Sequence, residues 1–287
     1  MALAELESAP ESSATLDLLD AAWASPRAYV IGLTGPPGVG KSTLAGSLIV
    51  RWRHSGTTVG VIAVDPSSRR SGGALLGDRT RLRTDPTDGG VFVRSMAARD
   101  RLGGLADLTV SAMVLMRALF DRVLVETVGV GQSETDVADT ADTVLFCVQP
   151  GSGDGVQFMK AGIVEIPDVI AVTKADIGDA AIRTRSDLAG ALTLSPGSGD
   201  WAVPVLAISA QTGTGLDELD AAIDRHWQWL GAAGRLAARR RAQDETWYRA
   251  AIRERLGRDR AIGARLNSLE MGISPFRAIR DAVTRQG

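Results

Sequence analysis

Seven short apolar runs recur along the chain, at 28–34, 58–64, 90–95, 122–127, 143–148, 168–173 and 203–209. Runs such as "AYVIGLT" and "TVLFCV" are rich in β-branched residues and nearly continuous, without the strict alternation of a half-exposed sheet. That pattern predicts strands buried on both faces, as in a parallel sheet covered by helices. Helix-like segments lie between most of them, over 42–54, 104–120, 178–192 and 215–230, which gives an α/β alternation. Residues 1–26 read as a short helical or loose lead-in ended by "SPR". Beyond about 230 the strand pattern stops, and "GRLAARRRAQDETWYRAAIRERLGRDR" predicts a long helix. Its nine arginines and four acids over 235–260 read as a solvated face rather than a nucleic-acid stripe. Trp247, Ile252, Leu256, Leu266, Leu269 and Phe276 require one side to pack on something, and a partner subunit is the expected something. The expected organisation is a lead-in over 1–26, an α/β domain over 27–230 and a helical dimerisation arm over 231–287.

Composition narrows the chemistry. With 287 residues and 45% hydrophobic content, the chain can bury a large core. Acids outnumber bases 34 to 32, so no global positive field draws nucleic acid or anionic lipid. The single Cys147 rules out an intrachain disulfide framework and reads as a buried, inert hydrophobe of a reduced compartment. With only His54 and His226 beside it, no soft-ligand cluster forms, and any metal should be held by oxygen. The acidic N-terminus lacks the marks of a targeting signal, and no apolar run approaches the roughly 18 to 20 residues of a membrane span. A cytoplasmic protein is expected. Only three basic residues are lysine, Lys41, Lys160 and Lys174, against 29 arginines. Such a chain should keep lysine where a compact, flexible ammonium is needed.

Lys41 is accounted for by "GPPGVGKST" (35–43), which follows a strand, precedes a helix and matches the P-loop pattern in its required context. Gly35, Gly38 and Gly40 let the backbone turn and aim its N–H groups, including that of Val39, at phosphate oxygens, and the helix adds its positive end. Lys41 then bridges the β- and γ-phosphates, Ser42 offers its hydroxyl to Mg²⁺, and Thr43 completes the cradle. "VIAVDPSS" puts Asp65 at a strand end, where a carboxylate needs a cation or its water. Asp78 lies in the glycine-containing "GGALLGDRTR", and "VETVGVGQSE" supplies Glu126 and Gly129. A carboxylate shortly before a glycine can hold Mg²⁺ through water while the glycine N–H reports the γ-phosphate. Together these acids and Ser42 form a hard, oxygen-only Mg²⁺ site.

Lys174 is accounted for by "VTKAD" (172–176). The Asp176 carboxylate can accept from guanine N1–H and the 2-amino group, neither of which adenine offers, and Lys174 can lie across the purine face. Thr173 stands where this motif commonly has asparagine; it keeps a hydroxyl but loses the amide's paired donor and acceptor. "SAQTG" (209–213), with Ser209, Ala210 and Gln211, reads as the loop whose amide contacts the guanine carbonyl. Two other readings stay open on these residues: a small-molecule kinase, which a P-loop alone would also fit, and a different metal-insertion or signal-recognition GTPase. The base-reading element argues against the first. The absent Cys/His cluster and the scarcity of methionine argue against the second.

In order and spacing, "GPPGVGKST", "VDPSSRRSGGALLGDRTR", "LGGLAD", "VLVETVGVGQSETDVAD", "PGSGDGVQFMKAGIVEIPD", "TKAD" and "SAQTGTGLDEL" resemble the MeaB/ArgK family of metallochaperone G proteins over about residues 28–230. "GISPFRAIRDAV" resembles that family's C-terminal arm. The resemblance implies an α/β fold, a P-loop GTPase with a mostly parallel central sheet and a helical C-terminal dimerisation extension. It implies a homodimer that binds GTP and GDP with Mg²⁺ and protects or reloads an adenosylcobalamin-dependent acyl-CoA mutase. It leaves open whether a cobalamin adenosyltransferase joins. The family's Mg²⁺ and switch residues fall on Ser42, Asp65, Asp78 and Glu126, and its third switch on the loop from Gln149 to Lys160. The sequence departs from the family at Gly155-Val156, where an acidic-aliphatic pair is usual, and at Arg79, where lysine is usual. The residues assigned to catalysis are Lys41, Asp78, Glu126, Gly129 and Lys160. No obvious arginine finger is visible in a fixed loop, so slow intrinsic hydrolysis quickened by the mutase is expected, with Lys160 as the moving charge of the third switch.

Overall fold

The computed structural model describes residues 2–66, 82, 84, 85, 87–98, 107–127, 137–151, 166–194, 200–257 and 268–286. Its strands are β1 (Tyr29–Thr34), β2 (Val59–Pro66), β3 (Val91–Ala98), β4 (Arg122–Glu126), β5 (Thr143–Val148), β6 (Val169–Val172) and β7 (Val205–Ala207). They form one sheet in the order β3-β2-β4-β1-β5-β6-β7, and every pairing is parallel. All seven apolar runs are thus strands. β1, β5 and β6 are buried at every position, as expected of central strands covered on both faces.

Among the described residues the helices are α1 (Ala2–Ser8), α2 (Ser13–Ala24), α3 (Lys41–His54), α4 (Asp107–Leu119), α5 (Asp179–Leu194), α6 (Leu216–Gly231), α7 (Arg235–Leu256) and α8 (Pro275–Gln286). One face of the sheet packs on α3 and α6 through Leu44, Leu48, Trp52, Leu219 and Ile223. The other packs on α4 and the N-terminal helices, through Ala112, Val114, Met116, Leu6 and Leu19. The lead-in is therefore helical and ordered. Ser12 caps α2 by accepting from the Thr15 N–H at 3.1 Å, and Leu19 and Ala22 put one side of that helix into the core. None of the described helices is long and apolar enough to cross a membrane.

The C-terminal helices differ from expectation in what they pack against. Their apolar positions are filled by the chain itself: Tyr248, Ile252, Leu269 and Ile279 share a core between α7 and α8, and Phe276 lies 4.8 Å from Trp247 while joining the α2–α4 core. Leu266 lies outside the described residues. The arginines are not simply a solvated face either. Arg239 donates a two-bond fork to Asp168 at 3.0 and 2.8 Å, and Arg240 does the same to Asp142 at 2.8 and 2.7 Å. Arg241 reaches the carbonyls of Leu269 and Glu270. Both aspartates immediately precede strands and also accept backbone N–H groups, Asp142 from Val30 at 2.9 Å and Asp168 from Val144 at 2.8 Å. Consecutive forks of α7 thus clamp the N-terminal edge of the sheet, a use of arginine's planar head that lysine could not copy.

Behind that clamp His226 is fully buried. It hydrogen-bonds Thr143, which also bonds Tyr29, and its ring stacks on Trp229. Its Nε2 stands 3.3 Å from Asp168 Oδ1 without the alignment of a hydrogen bond. Burial alone would raise the Asp168 carboxyl, yet the His226 and Arg239 contacts win and hold it below the usual carboxylate range.

Candidate functional site

All parallel strands end on one side, and the loops leaving β1, β4, β5, β6 and β7 bring the candidate residues together there. After Thr34 the chain turns through Gly35 at φ 133°, so close to β5 that a Cβ at Gly35 would sit 2.1 Å from the Cys147 carbonyl oxygen. Only glycine fits that crossing. Gly38 at φ 77° and Gly40 at φ 100° also need positive φ, but a Cβ on either would meet nothing within 4 Å. The backbone at these two glycines therefore borders open space, an open cradle at the start of α3. α3 opens on Gly40, which has no side chain to cap it, so the positive end of the helix faces the loop.

Lys41 begins α3, is buried, and donates to the carbonyls of Gly35 at 2.6 Å and Pro36 at 2.9 Å. It is curled over the loop whose phosphates it would bind. Beside it the Ser42 hydroxyl donates to Glu126 Oε1 at 2.6 Å. Glu126 ends β4, in register with Leu33 of β1 and Ala63 of β2. Sequence reasoning assigned these two side chains to one Mg²⁺ site, and the fold brings them into direct contact. Asp65 lies two positions past Ala63 on β2, with its backbone opposite Ala97; its side chain is outside the description. Asp78, Arg79, Gly129, Gly155, Val156 and Lys160 lie outside the described residues.

On the base-reading side the Thr173 hydroxyl stands 2.7 Å from the Val39 carbonyl and 2.9 Å from that of Val148. One hydroxyl hydrogen serves two acceptors, so threonine ties this strand end to the P-loop with a shared bond where an amide could give two. Lys174 follows at φ 54°, in the left-handed region, and starts a short 3₁₀ turn that exposes Asp176. Its ammonium donates to the Gly38 carbonyl at 2.9 Å and to Gln149 Oε1 at 2.6 Å. Ser209 is buried and its hydroxyl accepts from Thr212 N–H at 3.2 Å, closing the 209–213 loop beneath Ala210 and the exposed Gln211. Ser47 of α3 donates to the Ala210 carbonyl at 3.3 Å, and the Ala175 N–H to the Ile208 carbonyl at 2.9 Å. Thr173, Lys174, Asp176 and the Ser209–Gln211 loop therefore stand as one unit against the P-loop.

Two participants escaped the reading of the sequence. In the sequence Gln149 shows only as the start of a loop, and its position directly after β5 on the loop-bearing edge is the available signal. Cys147 contributes its carbonyl rather than its side chain, which no residue pattern reveals. Its thiol is pushed up to about 12 by burial, only partly offset by the Lys41 charge, so it stays neutral behind the loop.

A family model described as methylmalonyl-CoA mutase-associated GTPase MeaB matches residues 1–264. A Pyrococcus horikoshii protein named as a GTPase is 48% identical over 222 residues, covering 76% of this chain and 70% of its own. The mitochondrial methylmalonic aciduria type A homolog of Mus musculus is 38% identical over 234 residues, 80% of this chain and 56% of its own. Among solved structures, that of a LAO/AO transport system kinase superposes with a TM-score of 0.65 at 27% identity, covering 99% of this chain and 91% of its own.

Proposed function

The chain belongs to the MeaB family of methylmalonyl-CoA mutase-associated GTPases, and from that premise we propose that it is a GTP-driven chaperone for an adenosylcobalamin-dependent acyl-CoA mutase. The observation that carries the nucleotide chemistry is the 2.6 Å contact between Ser42 and Glu126 beside the open cradle at Gly38 and Gly40. A serine hydroxyl and a carboxylate meeting at a P-loop suit a hard divalent cation. Mg²⁺ would be held by Ser42 and, through water, by Glu126, with Asp65 and Asp78 completing the shell. When bound it neutralises charge on the phosphate oxygens.

In this proposal Lys41 exchanges its two loop carbonyls for phosphate oxygens, so the same ammonium holds the loop closed before binding and the β- and γ-phosphates after it. Gly129 reports the γ-phosphate through its N–H. The Asp176 carboxylate selects guanine, Lys174 covers the purine face, and the Ala210 amide meets the guanine carbonyl. Intrinsic hydrolysis is slow, and the mutase quickens it by ordering the loop that carries Lys160. The protein works in the cytoplasm as a homodimer. Since Tyr248, Ile252, Leu269, Phe276 and Ile279 are buried within the chain, the dimer contact in this proposal uses other residues.

The test is phosphate release from GTP and from ATP, with and without a B12-dependent mutase. Slow release from GTP alone, quickened by the mutase in the wild type and much less in Lys160→Ala, is expected. Equal use of ATP would refute the guanine reading, transfer of label to a small acceptor would restore the kinase reading, and turnover indifferent to any mutase would remove the chaperone role.

A further inference from the structure

The Lys174 ammonium is held from two sides: by the Gly38 carbonyl of the P-loop at 2.9 Å and by Gln149 Oε1, just past β5, at 2.6 Å. We propose that Gln149 is a positioning residue of the guanine-base site, acting through Lys174, which rests on the reading of residues 173–176 as the base-reading element.

A lysine side chain carries substantial rotamer entropy, which base binding would otherwise have to overcome. Held only by Gly38, the lysine would depend on a loop that must itself accommodate phosphates. Gln149 supplies an anchor from a different element. Its backbone is fixed independently, because the neighbouring Val148 carbonyl accepts both the Thr173 N–H at 2.8 Å and the Thr173 hydroxyl. The two anchors hold the ammonium between the P-loop and the end of β5, where the lysine can meet a purine face. Gln149 is also neutral. An amide oxygen accepts the charged donor without cancelling its charge, so the ammonium keeps its attraction for the π-face. The left-handed backbone of Lys174 makes the arrangement more demanding, since a non-glycine residue holds that conformation only where its surroundings fix it.

The experiment measures GDP and GTP affinity by titration calorimetry for the wild type, Gln149→Ala, Gln149→Glu, Lys174→Ala and the double alanine variant, with thermal melts as the check on folding. Gln149→Ala should weaken GDP and GTP by the same factor, about tenfold, because the lysine must then be ordered on binding. Gln149→Glu should recover only part of that loss, because it retains the acceptor but offsets the ammonium's charge. In the Lys174→Ala background the alanine at 149 should cost nothing further, which a merely structural role for Gln149 would not produce. Full affinity in Gln149→Ala, a loss confined to GTP, or a loss that persists without Lys174 would each overturn the proposal. A wild type that binds neither nucleotide would overturn the reading on which it rests, and the proposal with it.

Discussion

Replacing Arg240 with alanine strips the fully buried Asp142 carboxylate of two of the three donors described for it, the Nε–H at 2.8 Å and an Nη2–H at 2.7 Å, leaving the Val30 N–H at 2.9 Å. The Ala28 carbonyl loses its Arg240 partner as well. Removing one member of a buried ion pair costs about 3–5 kcal/mol, because the other is left charged without compensation. Counting the lost contacts as two hydrogen bonds to a charged group gives a similar figure, about 3–6 kcal/mol. A modest offset comes from Arg117, a buried neighbour whose guanidinium is pushed below its ordinary value first by burial and then by the Arg240 charge. The expected loss is therefore about 4 kcal/mol. At roughly 2 cal/mol/K of unfolding entropy per residue, that lowers the melting temperature by about 7 °C. Urea unfolding followed by tryptophan fluorescence measures it. Arg240→Lys should lose about half as much, since it keeps the charge but not the fork. Arg253→Ala, on the exposed side of the same helix, should stay within about 0.5 kcal/mol of wild type. If Arg240→Ala matches Arg253→Ala, the clamp between α7 and the sheet edge contributes nothing and the reasoning fails.

Gly35→Ala should cost more than about 3 kcal/mol, because its Cβ would overlap the Cys147 carbonyl; Gly38→Ala, with open space at its Cβ, should keep most of the stability and lose GTP, so paired melts and binding titrations separate crossing from cradle. Asp176→Asn should weaken GTP by about 10²–10³-fold by removing a charged acceptor from two donors, and should favour xanthosine triphosphate, whose C2 carbonyl the amide can serve; unchanged selectivity in competition titrations would remove Asp176 from base reading. Asp244 accepts the Trp23 indole N–H at 2.8 Å, and burial, its largest influence, raises its carboxyl above the usual range. Its folded form therefore binds the proton more tightly than its unfolded form, so its contribution is present below the unfolded pKa and lost as pH rises through the folded one. Asp244→Asn, which keeps an acceptor for the indole, should flatten the melting temperature against pH in that window; an identical slope would contradict the assignment.

The sheet was legible because continuous apolar runs such as 143–148 have few other uses, and the P-loop because glycine, lysine and serine at fixed spacing carry their own geometry. The meeting of Ser42 and Glu126 was also foreseeable, since Glu126 ends β4 and Ser42 opens the helix that follows β1, and a parallel sheet gathers such positions on one edge. The α7 clamp was not. A run of arginines reads as solvated because its partners, Asp142 and Asp168, stand about 100 and 70 residues away, as separations of 98 and 71 record. Likewise Trp247 and Phe276 do show a face that must be covered, but periodicity does not say whose atoms cover it. Gln149 was passed over because an amide has no signature until the donor it serves is located in space.

The one thiol of the chain, neutral and fully enclosed at the centre of the sheet, gives the unmodified protein an internal clock for opening. An Ellman-type reagent can reach it only when the layer of α3 and α6 lifts from β5, so at steady state the labelling rate equals the open fraction multiplied by the reactivity of a free thiol. Because the Cys147 carbonyl abuts Gly35, the same separation dismantles the P-loop crossing, and a bound nucleotide must slow labelling by the factor 1 + [L]/Kd. Affinity can thus be read from chemical protection alone, without a fluorophore or a substitution.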